Sequence, residues 1–272
     1  MYEFSAGGPV AVRVRLHGGG CALTASEGAR VAVRIEPEAP GREADRRAAD
    51  RATVAFEDGR LTVRVPKGGG AGRLVGLPGG RVRVAVEAPA GSTLDFAADS
   101  ADLDVRGLLG ALKADIGSGD IAADRVTGDA SIDTSSGSVH FRRADGAVSF
   151  GSGSGGLEVA HATGTVRFHS SSGDLVIGVA EGDVHVDTAS GDLRIVEARG
   201  GSVHAKTSSG RIEVGVGEGV VVRRRRVTST SGTCREDLAE TVPVQAGARE
   251  LTLDLKSTGG DIDVRRVVAS RG

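Results

Sequence analysis

SSGDLVIGVAEGDVHVDTASGDLRI, residues 171–195, repeats its own opening: the Ser-Gly-Asp-Leu of 172–175 returns at 190–193, eighteen residues on. Extending that phase in both directions finds Gly119, Gly137, Gly155, Gly173, Gly191 and Gly210, spaced 18, 18, 18, 18 and 19, preceded by Ser118, Ser136, Ser154, Ser172, Ser190 and Ser209. A second series, Gly110, Gly128, Gly146, Gly164, Gly182 and Gly201, lies half a period away. The unit is therefore about nine residues long and is used in alternating pairs.

The residues between the glycines alternate. Two positions after each Ser-Gly glycine stand Ile121, Val139, Leu157, Leu175, Leu193 and Ile212; four positions after stand Ala123, Phe141, Val159, Ile177, Ile195 and Val214. The other series gives Leu112, Ala130, Val148, Val166, Val184 and Val203, then Ala114, Ile132, Phe150, Phe168, Val186 and Ala205. A period of two is that of a strand with one buried face, which excludes helix here. A fixed short period with glycine at every corner predicts an all-β fold, a parallel β-solenoid (β-helix) of about 18 residues per coil, two strands and two turns each. Coils stacked at about 4.8 Å turn each series above into a ladder of like side chains. Glycine is expected where a corner leaves no room for a Cβ, and the serine before it is expected to bond the turning backbone. Thr134, Ser152, Ser170, Thr188 and Thr207, three residues before their glycines, form a second hydroxyl ladder near the corner.

Composition agrees. The chain has 272 residues with 43 glycines, no Trp, one Tyr and six Phe, so its packing must come from stacked aliphatic side chains. A net charge of −2 from interspersed acids and bases sets up no global field toward nucleic acid or an anionic membrane. The Arg223–Arg226 run, with no basic helix or interleaved aromatics, reads as a solvated strand end. Glu3, Arg13 and Arg15 interrupt the stretch a signal peptide would need, and no 18-residue apolar run occurs, so the expectation is a cytoplasmic protein without membrane insertion. Cys21 and Cys234 are too few for a disulfide framework and lack zinc spacing.

Outside the repeat, residues 10–16, 31–35, 61–65 and 82–86 read as strands with irregular connections. The charged, Ala-rich stretch 41–54 has helical character and is placed over the open end of the first coil. Residues 231–237 and 258–266 return to the repeat grammar, which puts Cys234 in an inward apolar slot as a packing residue. The expected organisation is one elongated domain, 1–272: an N-terminal β cap over 1–106, regular coils over 107–219, and a degenerate C-terminal coil over 220–272 centred on 220–257.

The units Ser118–Ala123, Ser172–Ile177 and Ser190–Ile195, with Gly128–Thr134 and Gly182–Thr188, resemble those of the bacterial toast-rack family of β-strand-repeat proteins, often labelled adhesin-like and of unknown function. The resemblance extends to GGGCALTASEGARVAVRIEP, ATVAFEDGRLTVRVPK and LTLDLKSTGGDIDVRR. It implies a parallel β-solenoid serving as a scaffold or interaction surface, with some members tethered to a membrane or envelope. It supplies no catalytic residues.

Candidate chemistry is thin. Gly151–Gly156 spells G-x-G-x-x-G, but a strand-period segment follows where a dinucleotide site needs a helix. PKGGGAG, 66–72, lacks the Lys-Ser or Lys-Thr of a P-loop. Asp120, Asp129, Asp174, Asp183 and Asp192 follow corner glycines, yet Ser138, Ala147, Gly156 and Thr165 interrupt their columns, so they read as turn formers and not as calcium ligands. On the outer face His185 and His204 share one column, and His169, Asp187 and Lys206 share the column two residues along. The sequence assigns no metal and no cofactor; His169, His185, Asp187 and His204 are the group any metal would have to use. Short, almost insertion-free coils leave no cleft for a polysaccharide-cleaving enzyme. The expected function is a non-enzymatic scaffold or protein-interaction module with a protein partner or self-association; adhesin-like carbohydrate or cell-surface binding is second, and a polysaccharide-acting enzyme a distant third.

Overall fold

The computed structural model describes residues 1–67, 79–238 and 248–267. Gly68–Gly72 of the PKGGGAG stretch, and part of the expected closing coil, lie outside the described residues. The chain forms two compact units, Met1–Gly137 and Ser138–Gly272. Each winds as a parallel β-solenoid.

In the first unit the elements are β1 (Tyr2–Ser5), β2 (Ala11–Ser26), β3 (Arg30–Pro37), α1 (Glu43–Asp50), β4 (Thr53–Glu57), β5 (Arg60–Arg64), β6 (Val82–Pro89), β7 (Thr93–Leu109), β8 (Ala111–Ser118), β9 (Ile121–Val126) and β10 (Ala130–Ser136). Stacking at eighteen residues begins with β7, where Leu94 pairs with Leu112 and Leu103 with Ile121. It continues with Leu112 against Ala130. β2 is the coil before: Val12 pairs with Leu94 and Leu23 with Val105, although 82 residues separate each pair. The free side of β2 is taken in parallel by β5 and β6. Antiparallel strands close that end, β4 on β5 and β3 on β6, with β1 on β3. Asp58 (φ 48°) and Gly59 (φ 72°) make the two-residue link between β4 and β5, a hairpin turn that needs positive φ at both positions. The expected helix is present as α1 and packs on β3 and β6. Its buried Asp45 accepts the backbone N–H groups of Ala39 (3.1 Å) and Arg81 (3.0 Å), which offsets the cost of burying a carboxylate.

The second unit contains β11 (Val139–Ala144), β12 (Val148–Ser152), β13 (Leu157–Ala162), β14 (Val166–Ser170), β15 (Leu175–Ala180), β16 (Val184–Thr188), β17 (Leu193–Ala198), β18 (Gly201–Thr207), β19 (Ile212–Val216), β20 (Val221–Ser229), β21 (Cys234–Asp237), β22 (Glu250–Ser257) and β23 (Ile262–Arg266). Its two ladders keep the expected register: Leu157, Leu175, Leu193 and Ile212 pair in turn, as do Val148, Val166, Val184 and Val203. Leu175 and Leu193 are 0% and 2% exposed, and burial of each contributes roughly 1.5–3 kcal/mol. Within the same core the Phe150 and Phe168 rings stack with centroids 5.2 Å apart.

Chain order breaks at the end of this unit. β22 pairs with β18 and β23 with β19, so the later segment sits inside, and β20 and β21 form the last coil against them. This corrects the reading of Cys234. It does occupy an inward slot, opposite Ile262, but its strand is the last of the ladder among the described residues and Cys234 is exposed. The same coil places Arg225 in the column of Leu253 and Glu236 in that of Val264, and the two side chains pair at 3.2 Å. Inward-pointing charges of this kind discourage further strands from adding to an open edge. Arg223–Arg226 are exposed because β20 is the last strand described on its side of the ladder; they stand in the middle of β20 and not at the expected strand end.

The corners also differ from expectation in which atoms do the work. A Cβ on Gly191 would lie 1.8 Å from the carbonyl oxygen of Gly173 in the coil below, so stacking itself excludes every larger residue. The hydroxyl that accepts the corner N–H belongs to the residue three before the glycine: Ser170 to Gly173 (2.8 Å), Thr188 to Gly191 (3.1 Å) and Thr207 to Gly210 (2.9 Å). Ser172, Ser190 and Ser209, next to the glycines, are exposed. The corner aspartates bond the neighbouring coil and not their own turn. Asp174 accepts the Asp192 N–H (2.8 Å) and Asp192 accepts that of Arg211 (2.7 Å), so each carboxylate ties two coils together. Asp261 does the same for Thr233, whose backbone N–H foremost, and then its hydroxyl, holds the carboxyl below the usual range.

Candidate binding face of the second unit

Two outward columns and, beside them, one inward column at the corner run across β14, β16, β18, β22 and β20. The first contains Arg167, His185, His204, Asp254 and Arg226; the second His169, Asp187, Lys206, Lys256 and Thr228; the third Ser170, Thr188, Thr207, Ser257 and Ser229. The pairing of His185 with His204, and of His169 with Asp187 and Lys206, is the one the period implies. The two imidazoles lie face to face, centroids 5.3 Å apart and their planes nearly parallel at 3°. Parallel rings direct their nitrogens alongside one another and not toward a common point. His204 Nδ1 lies 3.9 Å from Asp254 Oδ2. Among the described residues no three His, Cys, Asp or Glu side chains are grouped to hold a metal ion.

The third column matters for shape. Ser170, Thr207 and Ser257 are buried, their hydroxyls turned in to the corner N–H groups of Gly173, Gly210 and Gly260. Because these short side chains fold inward while the lysines beside them stand outward, the surface between column and corner is hollowed. The result is an open groove of about 660 Å³, lined among others by His169, Asp187, Lys206, Lys256, Arg226 and Thr258.

Electrostatics separates this groove from its counterpart in the first unit. That one, about 740 Å³, is lined by Arg13, Arg15, His17 and Lys67 among others. Most of its basic groups are paired in place: Arg13 and Arg15 with Asp95 at 3.0 and 2.9 Å, and His17 and Lys67 with Asp99 at 2.8 and 3.1 Å, while Arg64 has no carboxylate partner among the described residues. The hydrogen bond from His17, then that from Lys67, holds the Asp99 carboxyl below the usual carboxylate range. In the second unit's groove, by contrast, Lys206 and Arg226 have no carboxylate partner among the described residues, and Lys256 reaches only Asp254, at 3.9 Å. Asp187 is the one acid in its lining. The groove therefore offers hydroxyls and unsatisfied positive charge, chemistry suited to holding a polar anion.

Lys256 and Arg226 are absent from the columns read in the sequence, which stop at Lys206. The ELTLDLKS alternation of 250–257 does mark a strand, but its place against β18 depends on the chain-order break.

The family model described as Toastrack DUF4097 matches residues 25–265. Among solved structures the chain is similar to a proposed adhesin from Bacteroides fragilis at 12% identity and a TM-score of 0.47, covering 98% of this chain and 95% of that one. A proposed adhesin from Parabacteroides distasonis matches at 13% identity and 0.48, with the same coverage. A proposed lipid-binding protein of that organism matches at 14% and 0.48, covering 98% and 96%. No curated protein matches the sequence.

Proposed function

The chain belongs to the Toastrack family, and from that premise we propose that it works without catalysis, as a scaffold that binds a partner through the outer ladders of its coils. The observation that carries this reading is where the uncommitted groups lie. Inward positions at the middle of the strands in the regular coils are filled by aliphatic and Phe side chains, while polar and charged groups, Lys206 for one without an ion pair among the described residues, stand in open ladders on the outside. Such ladders present one chemical pattern at every coil, which suits recognition of an extended surface.

A protein partner or self-association is the first reading; Val196, 47% exposed on β17, gives the opposite ladder some apolar surface for it. Carbohydrate or cell-surface binding is second, favoured by the groove of hydroxyls and lysines. Cross-linking and co-purification from the native cell, set beside a glycan array, tests the order: a stoichiometric protein partner supports the first, and glycan retention without one reverses it. Release of oligosaccharides in a polysaccharide screen would overturn the non-enzymatic reading. A cytoplasmic location goes with the first reading and a surface location with the second, so cell fractionation separates them as well.

A further inference from the structure

We propose that the groove over β16, β18, β22 and β20 is a site for a linear acidic glycan, a sugar chain bearing carboxylates or phosphates, seated with its anions on Lys206, Lys256 and Arg226. The proposal rests on the non-catalytic binding reading and names the ligand class for one face. Three observations carry it.

Charge comes first. Lys206 and Arg226 are exposed and form no ion pair among the described residues; Lys256, on the strand between theirs, is the direct partner of Lys206, and Arg226 stands one column over, opposite Asp254. The comparable groove of the first unit has satisfied most of its cations internally. Unpaired cations side by side repel one another, and a bound anion relieves that repulsion.

Hydrogen bonding comes second. While the buried hydroxyls are committed to the corners, Ser208, Thr228 and Thr258 are exposed along the groove, free to donate to and accept from sugar hydroxyls. Among the described residues no Phe, Tyr or Trp ring is in the lining. A neutral sugar would therefore lack the ring face on which apolar sugar surfaces pack, leaving charge to supply the affinity.

Geometry is third. Lys206 and Lys256 are direct partners in adjacent parallel strands, so they lie one coil apart, about 4.8 Å. That rise is close to the length of one sugar unit in an extended glycan, so successive units meet successive coils. Asp187, directly beside Lys206 on the other side, repels an anion there and directs the chain toward Lys256 and Arg226.

The test is titration of the full chain at low salt with oligogalacturonate and with poly(glycerol phosphate), using dextran and single-stranded DNA as comparators. Binding of either acidic polymer, weakened as salt rises, and no binding of dextran is expected. Lys206→Ala and Arg226→Ala should each weaken it about fivefold. Lys206→Glu should weaken it further, while Arg64→Ala in the first unit's groove should leave it unchanged. Circular dichroism of each variant shows that the fold is kept. Preference for the carboxylated or the phosphorylated polymer identifies the anion. Equal binding by Lys206→Glu, or tighter binding of DNA than of either glycan, would overturn the proposal. Loss of glycan binding alongside a retained protein partner would overturn the ligand while leaving the binding reading intact.

Discussion

Leu193 and Cys234 occupy the same inward column of the second unit, linked through Ile212 and Ile262, yet Leu193 is 2% exposed and Cys234 is open to solvent. Both sit on a short strand in a coil of similar grammar. What differs is that, among the described residues, Leu193 has a coil on each side and Cys234 has one. Burial in this fold is thus a property of stacking, and a residue's own strand decides only which way it points. The last coil bears this out in its composition: Arg225 and Glu236 stand where the inner coils use Leu253 and Val264.

The comparison is easiest to break at its centre. Leu193→Ala should cost about 2–5 kcal/mol, because a cavity opens between two coils that cannot collapse independently. Cys234→Ala should stay within about 0.5 kcal/mol. Denaturant unfolding followed by circular dichroism reads both, and similar costs would contradict the stacking argument.

A smaller difference is expected at the corners. Gly191→Ala drives a Cβ to 1.8 Å from the Gly173 carbonyl and should cost about 1–3 kcal/mol. Gly259→Ala, whose Cβ would meet only the Ser208 carbonyl at 3.5 Å, should be near neutral in the same unfolding assay. Thr207→Val leaves the buried Gly210 N–H without its acceptor, for about 1–3 kcal/mol, whereas Ser190→Ala on the exposed side should change little. Amide hydrogen exchange at Gly210 checks the mechanism, since protection there should fall only in the threonine variant.

The cysteines sharpen the contrast through their reactivity and their pH dependence. Cys234 should react with a thiol reagent in the folded protein, and Cys21 only after unfolding. Burial pushes the Cys21 thiol up to about 12. A pKa raised in the fold means that stability is full below the ordinary thiol value of about 8.5 and declines as pH rises from there toward that raised value. Cys21→Ala should therefore flatten the alkaline limb of a stability profile.

Within each unit, the inward columns were legible in the sequence because register equals period: a residue eighteen positions on is also the neighbour across the ladder. The same glycine phase, which takes one nineteen-residue step from Gly182 to Gly201, set His185 beside His204. It fails where the chain departs from it. The insertion of β22 and β23 between earlier strands leaves no local mark, and with it Cys234 lost its cover and the groove gained Lys256 and Arg226. The antiparallel cap is a different case, since Asp58-Gly59 is a hairpin signal that the strand reading of 61–65 passed over. The corner aspartates were taken for turn formers because their acceptor role lies in the next coil, out of view of any local pattern.

The most direct test of the stacking is a proximity measurement in one column. In a Cys234→Ser background, pyrene labels on His185→Cys and His204→Cys sit one coil apart and should give strong excimer emission. Labels on His185→Cys and Arg226→Cys, three coils apart at about 14 Å, should emit as monomers. Monomer emission from the first pair, or equal excimer from both, would contradict the stacking on which fold and binding face depend.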